Sequence, residues 1–441
     1  MKKILMFIAT VALLAVSCEK KPKSVPVPVT VSLEMNGAAY EAADITVGLR
    51  DLNGTASYEA KTDASGTATF TVLPGFYEAN TQFKKAEEGK AFVYNAVNSN
   101  VAVVQEGENA YKLSLVESVT NQIVVKELYV GGCTYSIIDA EGNPATKTFQ
   151  NDAYVILYNN SDQPADASDI CFAGINPANS YATNKYLTDG KLVYESEGWL
   201  PAGQAIWWFQ TDVSIEPWSQ IVVAIKGAVD HTATYPESVD LSKADYVMYD
   251  PEAGFSNAAT YPTPSANIPE SNYLQTSPYS AGNAWTLSVI CPAFVTFRSS
   301  NPEALSTDSA NYDLISGAKF PCVKVPVADV VDGVEIFAIG KDDTNAKRLT
   351  SGVDAGFVHF SNKLGYTVYR NVDKEATEAI EGNKEKLVYN YTGGTADLED
   401  GSTDPSGIDA EASIKNGAKI VYLDTNNSSK DFHQRRVASL K

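Results

Sequence analysis

Short runs of alternating apolar and polar residues, separated by turn-forming segments, constrain the fold of this chain more than any other feature. Residues 29–33 and 45–49 alternate in this way, as strands of a sheet with one buried face do. Turn signals such as Asn36-Gly37 separate the runs. Tyr and Phe are abundant, at 24 and 16 residues, whereas Met occurs only 4 times, which favours strands. We therefore expect an all-β fold.

Length and charge limit the domain count and the partners. The chain has 441 residues, of which 44% are apolar, so it can bury sizeable cores. About three domains would be usual for this length, but all-β domains often run larger, and two are expected here. The formal net charge is −20. Such an acidic balance argues against nucleic acid as a partner, because phosphate binding needs clustered Lys and Arg.

The N-terminal segment has the pattern of an export signal. Lys2 and Lys3 precede an apolar run over residues 4–16, which is too short for a bilayer core that needs about 20 residues. Residues 14–18 resemble the lipobox of bacterial lipoproteins, in which small residues precede a cysteine that is lipidated. The resemblance implies a lipid anchor on Cys18 in a membrane.

Processing at this site divides the N-terminus into a signal peptide at 1–17 and a tether at 18–27. Loss of the signal peptide changes the formal net charge from −20 to −22, because two lysines are removed. The tether contains prolines, one Glu and three Lys, and holds a folded body off the membrane.

The region 28–120 is expected to form a small β-sandwich. Residues 62–70, followed by residues 73–77, resemble the hairpin and following strand of the carboxypeptidase-regulatory (prealbumin-like) sandwich. Gly66 would supply the positive φ of the turn, and Phe70 and Tyr77 would fill the core. The resemblance implies a spacer, with ligand binding by its loops as the alternative.

The region 121–441 is expected to form a larger β-sandwich with long insertions. Four segments, residues 124–130, 154–161, 166–170 and 200–206, resemble in this order the motifs of the lamin-tail immunoglobulin-like domain. Ile156 stands where that pattern has Glu.

A broader resemblance covers nearly the whole chain. It is carried by residues 227–232, 244–251, 292–294, 406–413 and 424–432. These segments resemble an uncharacterised Bacteroidetes lipoprotein family with a domain of unknown function. Members often occur beside TonB-dependent outer-membrane receptors, which implies an outer-membrane, surface-exposed lipoprotein that assists transport.

Four residues are the candidate ligand-binding residues: Trp199, Trp218, Asp230 and His231. The adjacent Trp207 and Trp208 would point to opposite faces of a strand, which favours a central strand buried by two layers. Trp199 and Trp218 flank that strand and are expected to be exposed, where they could stack on a sugar or on a planar ligand such as a tetrapyrrole. Asp230 and His231 could bind a metal from a loop, or His231 could simply form a local hydrogen bond.

The other chemically active residues support no assignment of a catalytic centre or a cofactor. His359 is expected to be half-buried in a strand, and His433 lies beside arginines, which do not suit a metal. No nucleotide-binding or nucleophile-elbow motif occurs. The remaining cysteines, which allow three disulfide pairings or none, are Cys133, Cys171, Cys291 and Cys322.

Two further segments carry structural expectations. Residues 395–411 contain six acidic residues and no basic one, and are expected to form a solvated, mobile loop. Residues 373–387 are expected to form a charged surface helix.

Together these features predict a non-enzymatic, lipid-anchored envelope protein that captures a ligand for a TonB-dependent transporter. The ligand could be a small molecule, a metal complex or a glycan. A structural or adhesive protein is the alternative, and a hydrolase acting on polymers is the third hypothesis, which requires two facing carboxylates.

Overall fold

The structure is a computed structural model that describes residues 24–87, 90–119, 121–285, 287–315 and 318–441. The predicted signal peptide at 1–17, the lipidation site Cys18 and most of the tether at 18–27 lie outside the described residues. The chain forms two compact units. Within the described residues, the first comprises 24–33, 39–79 and 98–112, and the second comprises the remainder. The domain boundaries expected from the sequence stay predictions.

The N-terminal strands form one sheet in the order β2-β1-β8-β7-β6-β3-β4, with β5 paired to β1. Their bounds are β1 Val27–Met35, β2 Ala38–Ala39, β3 Thr46–Asp51, β4 Ser57–Lys61, β5 Thr67–Val72, β6 Gly75–Glu87, β7 Lys90–Val103 and β8 Ala110–Val119. In β1, Val29, Val31 and Leu33 are buried, while the residues between them are partly exposed. This is the alternation that the sequence predicts for a sheet with one buried face.

The predicted turn before β5 is confirmed. Gly66 has φ +77°, and a Cβ there would lie 2.0 Å from the carbonyl oxygen of Tyr40. Only glycine therefore fits this position. Phe70 and Tyr77 are buried, as expected.

The second unit contains two six-stranded sheets, in the orders β21-β20-β12-β9-β28-β29 and β22-β18-β14-β23-β26-β27. The strands that form these sheets are β9 Ile123–Tyr129, β12 Tyr154–Asn159, β14 Ile170–Gly174, β18 Trp207–Trp208, β20 Gln220–Ala224, β21 Tyr246–Val247, β22 Gln275–Thr276, β23 Ala293–Arg298, β26 Val330–Ala338, β27 Val358–Phe360, β28 Thr367–Arg370 and β29 Phe432–Arg435. The smaller sheets and ribbons use β10 Cys133–Ile138, β11 Pro144–Phe149, β13 Ala165–Asp166, β15 Leu187–Thr188, β16 Lys191–Leu192, β17 Trp199–Gly203, β19 Ser214–Ile215, β24 Tyr312–Asp313 and β25 Cys322–Pro326.

The main core of this unit contains side chains from both six-stranded sheets, such as Val155 and Phe294. A second core combines the other face of the second sheet with β17 and β25. Trp207 belongs to the first core and Trp208 to the second, so the predicted burial of this strand on both faces is confirmed. The prediction of an all-β, sandwich-type fold is likewise confirmed.

Helices within the described residues are short. They are α1 Pro302–Thr307, α2 Lys374–Ala379, α3 Ala410–Lys415 and α4 Ser428–Asp431, with 3₁₀ turns at Pro251–Ala253, Glu270–Asn272, Ser309–Asn311, Val327–Asp329 and Lys384–Lys386. The predicted helix at 373–387 begins as expected, since Asp373 caps it, but it ends at Ala379. Ile380 is already extended, so the prediction of one continuous helix is wrong. In the part of the chain that the structure describes, no helix has the length and hydropathy to span a bilayer.

Candidate functional site

A surface cavity of about 340 Å³ in the second unit, called here the Trp208 pocket, is the candidate ligand site. It is lined by Ser168, Asp169, Cys171, Trp208, Phe209 and residues 299–303. Its volume falls within the range of small-molecule sites, which is about 300–1,000 Å³.

Strand pairing brings the lining segments together. Cys171 of β14 lies opposite Trp208 of β18 on one side and opposite Phe297 of β23 on the other. The pocket therefore lies where β14 begins and β23 ends. Loops at strand ends are free to carry polar groups because the sheet beneath them is rigid.

The rim of the pocket is held by a small polar network. Asp169 pairs with Arg298, whose guanidinium also donates to the carbonyl oxygen of Asp166 at 3.2 Å. Ser168 Oγ donates to Asp166 at 2.6 Å and accepts from the Val213 amide at 2.9 Å. The Ser168 hydroxyl therefore holds the pKa of the Asp166 carboxyl below its usual value. These bonds fix the loop that places Asp169 at the rim.

The opposite wall is the turn that follows β23. Asn301 accepts a bond from the Ala304 amide at 3.0 Å and so caps α1. Ser300 and Glu303 are exposed beside it. This wall offers a hydroxyl and a carboxylate to a ligand.

The chemistry of the pocket suits binding more than catalysis. Trp208 and Phe209, both largely buried, provide apolar surface, and the serines and carboxylates provide hydrogen-bonding groups. Burial raises the pKa of the Cys171 thiol well above its usual value, so it is a poor nucleophile. The lining contains no histidine. The arrangement fits a small polar organic molecule with several hydroxyl groups.

Trp199 is not exposed, so that expectation is wrong. Its ring is buried against Tyr186 and Tyr194, with centroids 5.8 and 5.3 Å away. Its indole nitrogen donates to Glu197 at 2.8 Å. The sequence places Trp199 near loops, but only the packing of β17 on the second sheet shows that these loops cover it.

Trp218, Asp230 and His231 do not line the Trp208 pocket. Trp218 is half-buried and packs against a different hydrophobic cluster from Trp199. Asp230 is exposed and accepts bonds from the amide and hydroxyl of Thr232, at 2.9 and 2.6 Å. His231 is buried, and its Nε2 lies 2.6 Å from the carbonyl oxygen of Gly227. The local hydrogen bond considered for His231 is what the structure shows.

The acidic segment 395–411 is not a uniformly solvated loop, and that expectation is wrong. Asp404 is buried and accepts from the Val372 amide at 2.9 Å. Asp409 caps α3. Glu411 pairs with the buried Lys126 at 2.7 Å, which, with Tyr369, lowers the carboxyl pKa against the effect of burial. Half of the acidic residues in this segment are therefore structural.

The remaining histidines and cysteines are structural groups. His359 is half-buried in β27, as predicted. His433 is buried, and its ring nitrogens lie 2.7 Å from Asn371 and from Tyr391. Burial lowers the His433 pKa to about 3. The cysteines left open by the sequence, Cys133, Cys171, Cys291 and Cys322, are free and buried.

Sequence reasoning missed two groups of residues. The first is the pocket rim, whose signal was the pair of polar turns at 166–169 and 299–303 next to strands. The second is a set of buried charges around Arg370, which pairs with Asp332 and lies 3.6 Å from Asp424 and 3.8 Å from Asp431. Asp332 also lines a valine-rich cavity of about 380 Å³, but its carboxylate is already bound to Arg370 and to the Val125 amide.

Metal binding receives no support from the described side chains, where no group of three or more His, Cys, Asp or Glu could hold an ion.

Comparison with known proteins relates the chain to a family without an assigned function. Residues 216–400 match the sequence model of DUF4876, a protein family of unknown function. No curated protein matches the chain significantly.

One solved structure from that family is similar to this chain in fold. The crystal structure of a DUF4876 family protein from Bacteroides thetaiotaomicron has a TM-score of 0.51 and 19% identity, and the likeness covers 94% of this chain and 96% of that one. At this identity the likeness shows the fold alone. A DUF3823 family protein from Parabacteroides merdae covers 45% of this chain and 79% of that one, but its TM-score of 0.15 and identity of 10% support no argument. Residues 216–400 are therefore similar to the DUF4876 family of unknown function, which agrees with the predicted resemblance to an uncharacterised Bacteroidetes family.

Proposed function

We propose that this protein is a lipid-anchored lipoprotein of the outer membrane that captures a small polyhydroxylated ligand, such as a glycan fragment, for a TonB-dependent transporter. The Trp208 pocket is the observation that carries the ligand-binding role. It combines apolar aromatic surface with hydroxyls and carboxylates at the ends of the paired strands β14 and β23. The lipobox-like segment at 14–18 supports the anchor, and the Bacteroidetes family resemblance supports the transporter partner. The role is non-enzymatic.

We also propose that the first unit is similar to the carboxypeptidase-regulatory sandwich and that the second is similar to the lamin-tail sandwich. These similarities assign a spacer role to the first unit and ligand capture to the second. Surface exposure on the outer membrane follows from the same family resemblance.

The first experiment isolates the protein from its own membrane and identifies what accompanies it by native mass spectrometry. We expect a transporter barrel in the complex and a bound organic molecule whose mass matches a sugar or oligosaccharide. Recovery of neither partner would favour the adhesive alternative.

The second experiment tests the pocket with the ligand found in the first. Ser300→Trp fills the rim and Glu303→Gln removes a carboxylate, and each is expected to weaken binding about tenfold or more in calorimetry. Glu385→Gln, at an exposed position in a 3₁₀ turn of the second unit, is the matched control. Equal affinity in all variants would place the ligand elsewhere on the protein.

A further inference from the structure

The first unit exposes its large apolar residues at one end. The exposed fractions of these residues are 57% for Val25, 41% for Leu52, 46% for Leu73, 61% for Phe76 and 46% for Val104. All five belong to strand ends or to the loops that join strands. Exposed apolar side chains that lie together in one patch, rather than scattered singly, mark a contact surface.

Contacts within the unit place these residues together. The Leu52 amide donates to the carbonyl oxygen of Phe76 at 2.9 Å. Val72, next to Leu73, lies opposite Val27 in the sheet. Val25 exchanges hydrogen bonds with the side chain of Gln105, the neighbour of Val104, at 3.1 and 3.3 Å. These contacts link the loops after β3, β5 and β7 to the start of β1.

The start of β1 lies at this same end of the unit, and Cys18 precedes it in the chain. Val25 lies only seven positions after Cys18 in the sequence. An extended chain reaches at most about 3.6 Å per residue, so the start of the described chain lies within about 25 Å of a lipid on Cys18. The turn at 62–66 lies at the opposite end of the unit, since the Leu33 amide donates to the Gly66 carbonyl oxygen.

We infer that the surface formed by Val25, Leu52, Leu73, Phe76 and Val104 docks on the phospholipid bilayer that holds the Cys18 anchor. The inference rests on the lipid anchor of the proposed function. Glu106 and Glu108 are exposed next to Val104, so the surface suits a zwitterionic bilayer better than an anionic one. Because the anchor retains the protein by itself, these loops set its orientation on the membrane.

The test uses the full lipidated protein in zwitterionic phosphatidylcholine vesicles, labelled with a fluorophore at Thr55→Cys or, as control, at Ala64→Cys. Both positions are exposed, and the other cysteines outside the lipidation site are buried. We expect brominated lipid to quench the label at position 55 at least threefold more than the label at position 64. Equal quenching would overturn the docking surface.

A combined Leu52→Ser, Leu73→Ser and Phe76→Ser variant is expected to remove that difference. The control Ile138→Ser, Val193→Ser and Leu364→Ser, which changes exposed apolar residues of the second unit, is expected to leave it unchanged. Loss of the difference in both variants would overturn the assignment to these loops.

Two further outcomes separate this inference from the proposed function. A peptide mass without lipid on Cys18 would overturn the anchor, and the docking surface with it. Protection of the position-55 label from iodide in the soluble Cys18→Ser chain would assign the surface to a second copy and overturn membrane docking alone.

Discussion

The strands of the two units bury their side chains in different ways. In β1 of the first unit, buried residues alternate with partly exposed ones, whereas all six residues of β12 in the second unit are buried. The difference arises because both faces of the central sheets in the second unit are covered. Polar side chains on such strands are buried as well, and they therefore need hydrogen-bond or ion-pair partners inside the protein.

Arg348 and Glu335 show the consequence. Both are fully buried, and the guanidinium donates to Glu335 at 2.6 and 2.8 Å and to the carbonyl oxygens of Cys291 and Ile336. Glu335 also accepts from the amides of Arg348 and Leu349. By contrast, Arg50 and Glu78 in the first unit pair at 3.1 Å with the arginine more than half exposed.

The largest expected effect comes from breaking the buried pair. Arg348→Ala should lower the free energy of unfolding of the second unit by about 3–5 kcal/mol, because it leaves Glu335 charged and uncompensated. All five tryptophans lie between residues 199 and 285, so denaturation followed by tryptophan fluorescence reports this unit. Arg50→Ala is the control, with an expected loss below about 1 kcal/mol by circular dichroism. Similar losses in both variants would contradict the contrast between the units.

An intermediate effect is expected from the carboxylates around Arg370. Burial raises the pKa of Asp332 to about 6 and that of Asp431 to about 7, despite the guanidinium. The folded state then binds protons more tightly than the unfolded state between about pH 4 and pH 7. These groups therefore favour folding at the lower pH, and that contribution is lost as the pH rises to 7.

Asp431→Asn isolates this contribution. His433 acts in the opposite direction, because its lowered pKa costs stability as the pH falls below about 6.5, so the useful quantity is the difference between variant and wild type. The variant should be destabilised more at pH 5 than at pH 8, by on the order of 1–2 kcal/mol, in the tryptophan-detected denaturation curves. A difference independent of pH would show that Asp431 keeps an ordinary pKa.

The smallest effect is expected on the solvated face of the first unit. Thr69 is an exposed residue of β5, between the buried Ala68 and Phe70. Thr69→Lys should change the free energy of unfolding by less than about 0.5 kcal/mol, since its side chain remains in water. A loss of 2 kcal/mol or more in circular dichroism would mean that this face is covered.

Local sequence rules worked where neighbouring residues decide the conformation. Gly66 has the positive φ expected of its turn, and Asp373 caps the helix whose start was predicted. The same local rules failed where contacts with distant segments of the chain determine whether a residue is buried or paired. Glu411 lies only four positions before Lys415 in the sequence, yet it pairs with Lys126, nearly three hundred residues away.

The candidate site shows the same division. The sequence indicated a tryptophan-bearing strand at 206–209, and its burial between two cores is confirmed. It pointed to Trp199 and Trp218 as the exposed aromatics, however, and the pocket lies instead beside Trp208. The rim residues come from turns about 130 residues apart, and no pattern in either turn specifies the other.

The sequence by itself determined the strands, the turns between them and the alternation of the first unit, because these depend on side-chain periodicity and backbone freedom over a few residues. Tertiary structure alone decided which strands are covered on both faces, which acidic residues are buried and where a cavity remains. Those properties depend on contacts between segments far apart in the chain, where burial changes the free energy of every charge and aromatic ring that it encloses.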